Sequence, residues 1–402
     1  MMLASCLPSQ TKTQDTPLPY TASPWKLLYE DILLFFRVAW SLPSLLLPLS
    51  GYNSGSLDEL YLSLQNIGNL ASQVVLCLLQ IVFLVSIPVL LTCMVPALWV
   101  CVYIGGILWA NKALCDLLLN RGASVLVSRF PELDAPEHRH EHWIFINGIA
   151  CGQTWLQMNI DRLGLTFGRK VTGVHNPTTG LVFDIIQCLI QRVFSYATED
   201  VRGAYSTIRA ALLNSKHTKV VLIVHSQGGI EGGLIVDWLL DELPQGLLRK
   251  LEIYTFGNAA NHFNNPYKAF PDAQNDVADQ AITQGRQPST EYDNTILHIE
   301  HYANSKDFVS LWGVLNFTSI PNRYNGQVLV RPGTGHMFNQ HYLDTMFPLG
   351  PDRKVLDSNS FMDMEIDAPK TAAEGSPGPI NRVKVRDLSR LWQYRNGGSP
   401  EQ

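Results

Sequence analysis

The longest apolar stretch lies in the N-terminal third of the chain. No Asp, Glu, Lys or Arg occurs in residues 60–111, and nearly every residue of 74–110 is apolar. Because about 20 apolar residues cross a bilayer as a helix, this stretch is nearly long enough for two crossings. The pattern predicts two transmembrane helices, at 71–93 and 97–117, or a re-entrant hairpin bent at the prolines near its middle. The alternative is a helical hairpin buried in a large soluble core.

Residues 25–49 carry a second apolar pattern with helical spacing. Four charges interrupt its first half, and charges are costly in hydrocarbon, so a helix lying at the membrane interface fits better than a spanning one. Residues 1–24 are mostly polar and predict a disordered lead-in, which bounds the membrane-associated region at 25–120. The four charged residues are Lys26, Glu30, Asp31 and Arg37.

Beyond a polar linker at 121–141, short apolar runs alternate with helical patterns. This alternation is typical of an α/β domain, here bounded at 142–350, with a mostly parallel sheet and helices on both faces. Such sheets bind ligands at the carboxyl ends of their strands. The predicted strands are 143–147, 171–174, 219–224, 251–257, 296–302 and 327–331, and the predicted helices are 154–163, 181–194, 201–213 and 230–240.

Three polar segments border or interrupt this domain. Residues 258–294 are rich in Asn, Gln, Asp and Pro and predict either a mobile cap or a passive surface loop. Residues 351–402 predict a mostly disordered tail with a short helix at 383–394. The run Glu-His-Arg-His-Glu-His at 137–142 is interpreted as a solvated approach to the next strand rather than a metal site, because no further ligand is fixed nearby.

The composition limits which kinds of partner and which cellular compartment are expected for this chain. The net charge is -5 and there is no basic run, which argues against a nucleic-acid partner. Seven cysteines without a C-x-x-C motif do not form a disulfide framework, so the globular part is expected in a reducing compartment. We therefore expect an integral protein of an intracellular membrane whose globular domain faces the cytosol.

The sharpest chemical signal is the strand at 219–224 and the residues that follow it. An unbroken apolar run ends in Ser226 and two glycines, as in a strand, tight turn and helix that expose a nucleophilic serine. Val224 occupies the first glycine position of the G-x-S-x-G pattern, whereas Ser226 and Gly228 match the rest. The alternative is an ordinary strand-to-helix corner with a surface serine.

Two further residue types complete a candidate catalytic triad. Asp307 follows a predicted strand, and His336 and His341 are the only histidines after it. The order serine, aspartate, histidine is that of α/β-hydrolases. His336 is the preferred base because it lies at the glycine-rich exit of the last strand, while His341 is the alternative. Each of these residues also has an explanation that involves no catalysis. Asp307, for example, could cap the helix that starts at Phe308.

The chemistry of acyl transfer also requires hydrogen-bond donors for an oxyanion. The predicted donors are the backbone N–H of Gln227 and an N–H of the loop after the first strand, from Ile149 or Ala150. No metal or cofactor is expected.

Several passages of the α/β domain carry a family resemblance. These passages are IFINGI at 144–149, VHSQGG at 224–229, YTFGNAANHF at 254–263 and GHMFNQHYL at 335–343. In them the domain resembles the fungal-type, lipase-like α/β-hydrolases of the serine esterase group and, more weakly, class 3 lipases. The resemblance implies a serine nucleophile and an ester or lipid substrate.

These patterns together predict a membrane-anchored serine hydrolase, a lipase or esterase. It would cleave a carboxylic ester in a lipid or lipid-like substrate through an acyl-enzyme, with the bilayer as its partner. Two alternatives stay open. One is a catalytically inactive hydrolase fold that serves as a membrane scaffold or lipid-binding protein, and the other is a thioesterase acting on acylated proteins.

Overall fold

The computed structural model describes residues 4–10, 23–49, 53–130, 136–269, 292–366 and 383–400. Its strands are β1 Ser5–Leu7, β2 Val125–Val127, β3 Glu141–Ile146, β4 Val171–Val174, β5 Lys219–His225, β6 Leu251–Phe256, β7 Tyr267–Ala269, β8 Tyr292–Asn294, β9 His298–Asn304, β10 Gln327–Arg331, β11 Glu365–Ile366 and β12 Val383–Lys384.

A central sheet of eight strands has the order β1-β10-β9-β6-β5-β3-β4-β2. Its six inner strands are parallel. Crossover connections join these strands and place helices on the faces of the sheet, so the strands are buried. The edge strands β1 and β2 are antiparallel to their neighbours. The predicted mostly parallel α/β sheet with helices around it is confirmed.

The helices of this domain cover both faces of the sheet. One apolar cluster joins alternate strand residues such as Leu222 and Val224 to the helices Leu181–Phe194, Glu199–Leu213 and Gly228–Glu242. A second joins the intervening residues, such as Val221 and Ile223, to the helix Gln153–Phe167. The helix bounds are α1 Pro24–Val38, α2 Leu64–Thr92, α3 Ala97–Leu118, α4 Gln153–Phe167, α5 Leu181–Phe194, α6 Glu199–Leu213, α7 Gly228–Glu242 and α8 Gln245–Leu248, with short helices at Phe308–Trp312, Val314–Phe317, Phe338–Leu343, Asp344–Met346, Val385–Leu388 and Arg390–Gln393.

The N-terminal helices agree with the apolar pattern. Helices α2 and α3 are both long and apolar enough to cross a membrane. They form an antiparallel hairpin in which Gln80 Nε2 donates to Asn111 Oδ1 over 2.9 Å. Helix α2 begins seven residues before the predicted position 71, where the Ser63 side chain caps it by accepting from the Asn66 N–H.

Two terminal segments are more ordered than their composition predicts. Residues 5–7, within the predicted disordered lead-in, form the edge strand β1. Residues 383–400, within the predicted disordered tail, pack on the sheet: Trp392 is buried and stacks on Phe347, and Tyr394 Oη donates to Glu252 over 2.8 Å. The predicted helix at 383–394 is instead the short strand β12 followed by two short helices. The predicted cap lies largely in residues 270–291, outside the described residues.

Candidate active site

Ser226 lies in a tight turn between β5 and α7. Its φ of 57° is in the left-handed region, which a non-glycine residue adopts at a cost of roughly 1–3 kcal/mol. Three backbone hydrogen bonds hold this conformation. The Ser226 N–H donates to Phe256 O over 3.0 Å, and Ser226 O accepts from the N–H groups of Gly229 and Ala259 over 3.0 and 3.2 Å.

The turn lies where the strand order of the sheet reverses. After β3 the chain adds β4 on one side, whereas β5, β6, β9 and β10 extend the other side. Open α/β sheets bind their ligands at the carboxyl ends of the strands at such a reversal, here those of β3 and β5. Gly148 follows β3 and lies directly against the serine: a Cβ at Gly148 would be 2.5 Å from Ser226 Cβ. Only glycine fits there without displacing Ser226.

The valine that replaces the first glycine of the motif has a partner glycine in the next helix. A Cβ built at Gly232 in α7 would lie 3.4 Å from Val224 Cγ1, which is ordinary van der Waals contact. A methyl group at position 232 would therefore also fit, and Val224 packs beside α7 without a steric clash. A valine at position 224 is thus compatible with this turn.

Asp307 and His336 form a hydrogen-bonded pair at the carboxyl ends of β9 and β10. His336 Nδ1 is 2.9 Å from Asp307 Oδ2, and both side chains are buried. Asp307 Oδ2 also accepts from Ser310 Oγ and Tyr342 Oη over 2.9 and 2.8 Å. Its Oδ1 accepts from the Val309 N–H over 3.0 Å, so Asp307 caps the short helix as well as holding the imidazole.

The charge on Asp307 follows from these contacts. Burial alone would raise the pKa of its carboxyl group, but the imidazole of His336 and the hydrogen bonds from His336, Tyr342 and Ser310 lower that pKa on balance. The carboxyl group is therefore ionised at neutral pH and accepts the Nδ1–H of His336. This arrangement leaves Nε2 of His336 as the basic nitrogen.

The two candidate bases have different environments. Both ring nitrogens of His341 are engaged with the backbone: Nε2 donates to Pro48 O over 2.8 Å, and Nδ1 accepts from the Met337 N–H over 2.9 Å. Burial lowers the pKa of His341, which keeps the ring neutral in this structural role. Of the two histidines, His336 is the one paired with Asp307.

His225 is a residue of the site that the sequence analysis missed. Its ring stacks on the His336 ring with centroids 4.6 Å apart, and its Nε2 donates to His336 O over 2.9 Å. Burial, reinforced by the neighbouring His336, lowers the pKa of His225 to about 3, so the ring stays neutral. The sequence could have indicated His225 by its position directly before the serine, at the buried end of β5.

Ser226 and the imidazole of His336 both lie beside the same two residues, Phe256 and Gly257. Phe256 O accepts from the Ser226 N–H, and the next residue is Gly257, where a Cβ would lie 2.9 Å from His336 Nδ1. Among the described residues, the Ser226 hydroxyl has no hydrogen-bond partner, and only 3 % of the residue is exposed. In structures without substrate, catalytic hydrogen bonds are often long and shorten when substrate binds.

Of the predicted oxyanion donors, the backbone N–H of Ala150 is already engaged in a hydrogen bond. Its N–H donates to Asp184 Oδ2 over 2.9 Å, so it is not available to a substrate in this conformation. Gln227 is the N-cap residue of α7, where helix N–H groups have no intrahelical acceptor. Its side chain is fixed by hydrogen bonds with Gln191 and Asn176, each over 2.8 Å. Gln227 and Ile149 remain the candidate donors.

A polar stripe on the apolar hairpin also reaches this site, and the sequence analysis did not use it. Asn66, Gln73 and Gln80 are seven residues apart and therefore share one face of α2. All three are buried, and Gln73 Nε2 donates to Ala150 O over 3.0 Å. The hairpin is thereby hydrogen-bonded to the loop that lies beside Ser226.

The histidine-rich run at 137–142 leads into β3, and His142 lies within that strand. No group of three or more His, Cys, Asp or Glu side chains in the described parts of the chain could hold a metal ion. His142 instead stacks on His217 with ring centroids 4.9 Å apart, and burial lowers its pKa to about 4.

No protein-family model matches this chain, and no curated protein matches it at a significant level. The resemblance to lipase-like hydrolases therefore stays a prediction, and function is argued from the geometry of the site.

Proposed function

We propose that the chain is a membrane-anchored serine hydrolase with an α/β-hydrolase domain, and that it cleaves carboxylic esters of lipids. One observation supports this most strongly. A serine in a left-handed turn after β5 and a buried Asp307–His336 pair after β9 and β10 lie at the same edge of one mostly parallel sheet, where the carboxyl ends of its parallel strands meet. Strained turns of this kind persist where the surrounding structure holds them and are frequent at catalytic serines.

The residues divide the reaction between them. His336 Nε2 removes the proton from Ser226 Oγ as the oxygen attacks the ester carbonyl carbon, and it returns that proton to the departing alcohol oxygen. Asp307 stabilises the imidazolium that forms in between. Water then attacks the acyl-enzyme, with His336 again acting as the base, and releases the carboxylic acid and free Ser226.

The proposed donors act on the charge that develops during both steps. The tetrahedral intermediate places a negative oxygen near the start of α7, where the Gln227 N–H and the partial positive charge of the helix terminus stabilise it. The Ile149 N–H would be the second donor.

The lipid character of the substrate rests on the anchor. The apolar hairpin is hydrogen-bonded to the loop beside the serine, so an amphiphilic ester in the bilayer is held at high local concentration near the site. The same triad could act on a thioester of an acylated protein, which stays the alternative substrate.

Hydrolysis of a long-chain carboxylic ester in mixed micelles tests the proposal. We expect the full-length protein to release fatty acid and Ser226→Ala to lose that activity to the limit of detection. Ser206→Ala is the matched control, because Ser206 is an exposed serine on α6. Equal activity in Ser226→Ala and Ser206→Ala would exclude Ser226 as the nucleophile.

A second candidate function is an inactive scaffold or lipid-binding protein. The Ser226 hydroxyl, which makes no hydrogen bond to His336 in the described structure, favours it. A folded protein that binds vesicles but hydrolyses neither esters nor thioesters would support this second candidate over the first.

A further inference from the structure

The hairpin of α2 and α3 is fixed to the globular domain along much of its length. Gln80 Nε2 and Asn111 Nδ2 both donate to Thr179 O, over 2.7 and 2.8 Å. Gln80 Oε1 accepts from the Val182 N–H over 3.0 Å. Nearer the start of α2, Gln73 is bonded to the domain as well. Buried amides with these partners belong to a protein interface, since unpaired amides are costly in lipid.

The part of the hairpin beyond these anchor points is short. At about 1.5 Å per residue, the segment from Gln80 to the end of α2 at Thr92 is roughly 18 Å long. The segment of α3 from Ala97 to Asn111 is roughly 21 Å long by the same measure. A bilayer has a hydrocarbon core of about 30 Å, so each segment is long enough for one leaflet but too short for both.

Helix α1 has two apolar faces. Leu34 and Val38 pack into the core, and Asp31 on that side forms a buried ion pair with Arg192. The opposite face carries apolar and aromatic side chains spaced three, four and seven residues apart, with Lys26, Glu30 and Arg37 along its border. The residues of this outer face are Trp25, Tyr29, Ile32, Leu33 and Phe36, all exposed, and the exposed Trp40 follows two residues beyond the end of α1.

Helix α5 connects the hairpin to α1. At one end, the ring of Phe183 contacts that of Phe83 in α2 with centroids 6.0 Å apart. At the other end, Phe194 contacts Trp25 with centroids 5.8 Å apart. The exposed apolar residues on the same face of α5 between these ends are Ile186 and Ile190.

The segment after α1 continues this surface to the candidate site. Leu46, Leu47 and Leu49 are exposed. In the same segment, Ser44 Oγ accepts from the N–H of Phe308, the residue after Asp307, over 3.1 Å, and Pro48 O accepts from His341.

We propose that these faces form one surface that enters a single leaflet, with the hairpin tip near the bilayer midplane and α1 lying in the interface. The protein is then monotopic, and the candidate site faces the leaflet that holds its substrate. The occupant of the surface is lipid, because the surface is continuous with a hairpin of membrane hydropathy and is bordered by Trp, Tyr and Lys, as interfacial helices are. This inference rests on the anchoring part of the proposed function and not on its chemistry.

Spin-label depth measurements on the full-length protein in phosphatidylcholine liposomes test the proposal. The exposed or half-buried cysteines Cys6, Cys77, Cys93 and Cys101 are replaced by Ser, while the buried Cys115, Cys151 and Cys188 stay in place. Single labels are then introduced by Val82→Cys, Val85→Cys, Val89→Cys and Met94→Cys, at exposed positions along α2 and its turn. Ser215→Cys, on an exposed loop of the globular domain, is the aqueous control.

A single-leaflet hairpin predicts that the depth of the spin label in the bilayer rises steadily from position 82 to position 94. The ratio of its collisions with dissolved oxygen to its collisions with a water-soluble nickel chelate should then be highest at position 94. A hairpin that crosses twice predicts the greatest depth in the middle of α2 and a water-accessible label at 94, which would overturn the proposal. So would labels at all four positions that are as accessible to nickel as the control, because the surface would then not contact lipid. Ester hydrolysis by the same preparations reports separately on the proposed chemistry.

Discussion

At the scale of single residues, the site depends on where glycine is required and where it is not. Residue types alone predict Ser226 as a candidate nucleophile, because a serine after a buried strand and before two glycines is typical of a nucleophile turn between strand and helix. The residue types do not show that Val224 fits beside the second turn of α7, since that contact joins a strand to the following helix. The pattern favours His336 over His341 only by its place at the exit of the last strand, whereas the pairing of His336 with Asp307 is seen in the three-dimensional structure.

Gly148→Ala should inactivate the site without unfolding the domain. The new methyl group would lie 2.5 Å from Ser226 Cβ and 3.0 Å from Ser226 Oγ, so the serine must shift. We expect phosphonylation of Ser226 by a fluorophosphonate to slow by at least about tenfold, as for a misplaced nucleophile. Gly246→Ala is the matched control, because no atom lies within 4 Å of the added methyl group. Equal labelling rates for the two variants would show that Gly148 does not border the reacting serine.

Asp307→Asn should preserve the fold and remove the charge that supports His336. Asparagine can still cap the short helix, but it favours the wrong tautomer of the imidazole. A loss of roughly 10³–10⁴-fold in the ester hydrolysis rate at neutral pH is expected by comparison with other triads. The far-UV circular dichroism and the melting temperature control for folding. A folded variant with more than a tenth of the original rate would contradict the role assigned to Asp307.

At the scale of elements, continuous apolar patterns that end in turn residues were predictive, and apolar residues scattered among polar ones were not. Helix α5 and strands β4 and β10 match their predicted bounds, because each is a continuous pattern ended by turn residues. The strand expected at 296–302 lies instead at His298–Asn304, since apolar periodicity does not fix where pairing begins. The C-terminal segment failed as a prediction because its few apolar residues are separated by polar ones, and only tertiary packing gives them partners.

Trp392→Ala tests whether the C-terminal segment belongs to the folded domain. Trp392 is 3 % exposed and packs on Phe347, so its removal leaves a cavity in the second apolar cluster. We expect a loss of roughly 3–5 kcal/mol in the free energy of unfolding, measured by denaturant titration in detergent. Gln393→Ala, at an exposed neighbouring position, should change it by less than about 0.5 kcal/mol. Identical effects of the two substitutions would mean that this segment does not stabilise the domain.

At the scale of the whole molecule, buried carboxyl groups link stability to pH. Burial is the largest influence on Glu300 and raises its pKa to about 7, against the hydrogen bonds from Tyr302, Arg390 and Leu391. The folded protein therefore keeps a proton on Glu300 that the unfolded chain releases above about pH 4.5. The folded state binds more protons than the unfolded chain in this pH window. The contribution of Glu300 to the free energy of unfolding is therefore largest at low pH and is lost as the pH rises to about 7.

Glu300→Gln should therefore become more stable relative to the original protein as the pH rises. Glutamine mimics the protonated carboxyl group, so we expect the difference in unfolding free energy to grow by about 1–3 kcal/mol between pH 4.5 and pH 7.5 in favour of the variant. Urea titrations at four pH values in one detergent would measure it. A difference that does not change with pH would show that Glu300 titrates alike in the folded and unfolded states.

The proposed function depends most on one side chain, the hydroxyl group of Ser226. Peptide mapping by mass spectrometry after treatment of the folded, full-length protein with a fluorophosphonate identifies the residue that reacts. We expect a single phosphonate adduct on Ser226, absent after heat denaturation before treatment and absent in His336→Gln. A folded protein that acquires no adduct, or one modified at another residue and equally so in Ser226→Ala, would contradict the assignment of Ser226 as a nucleophile activated by His336 and Asp307.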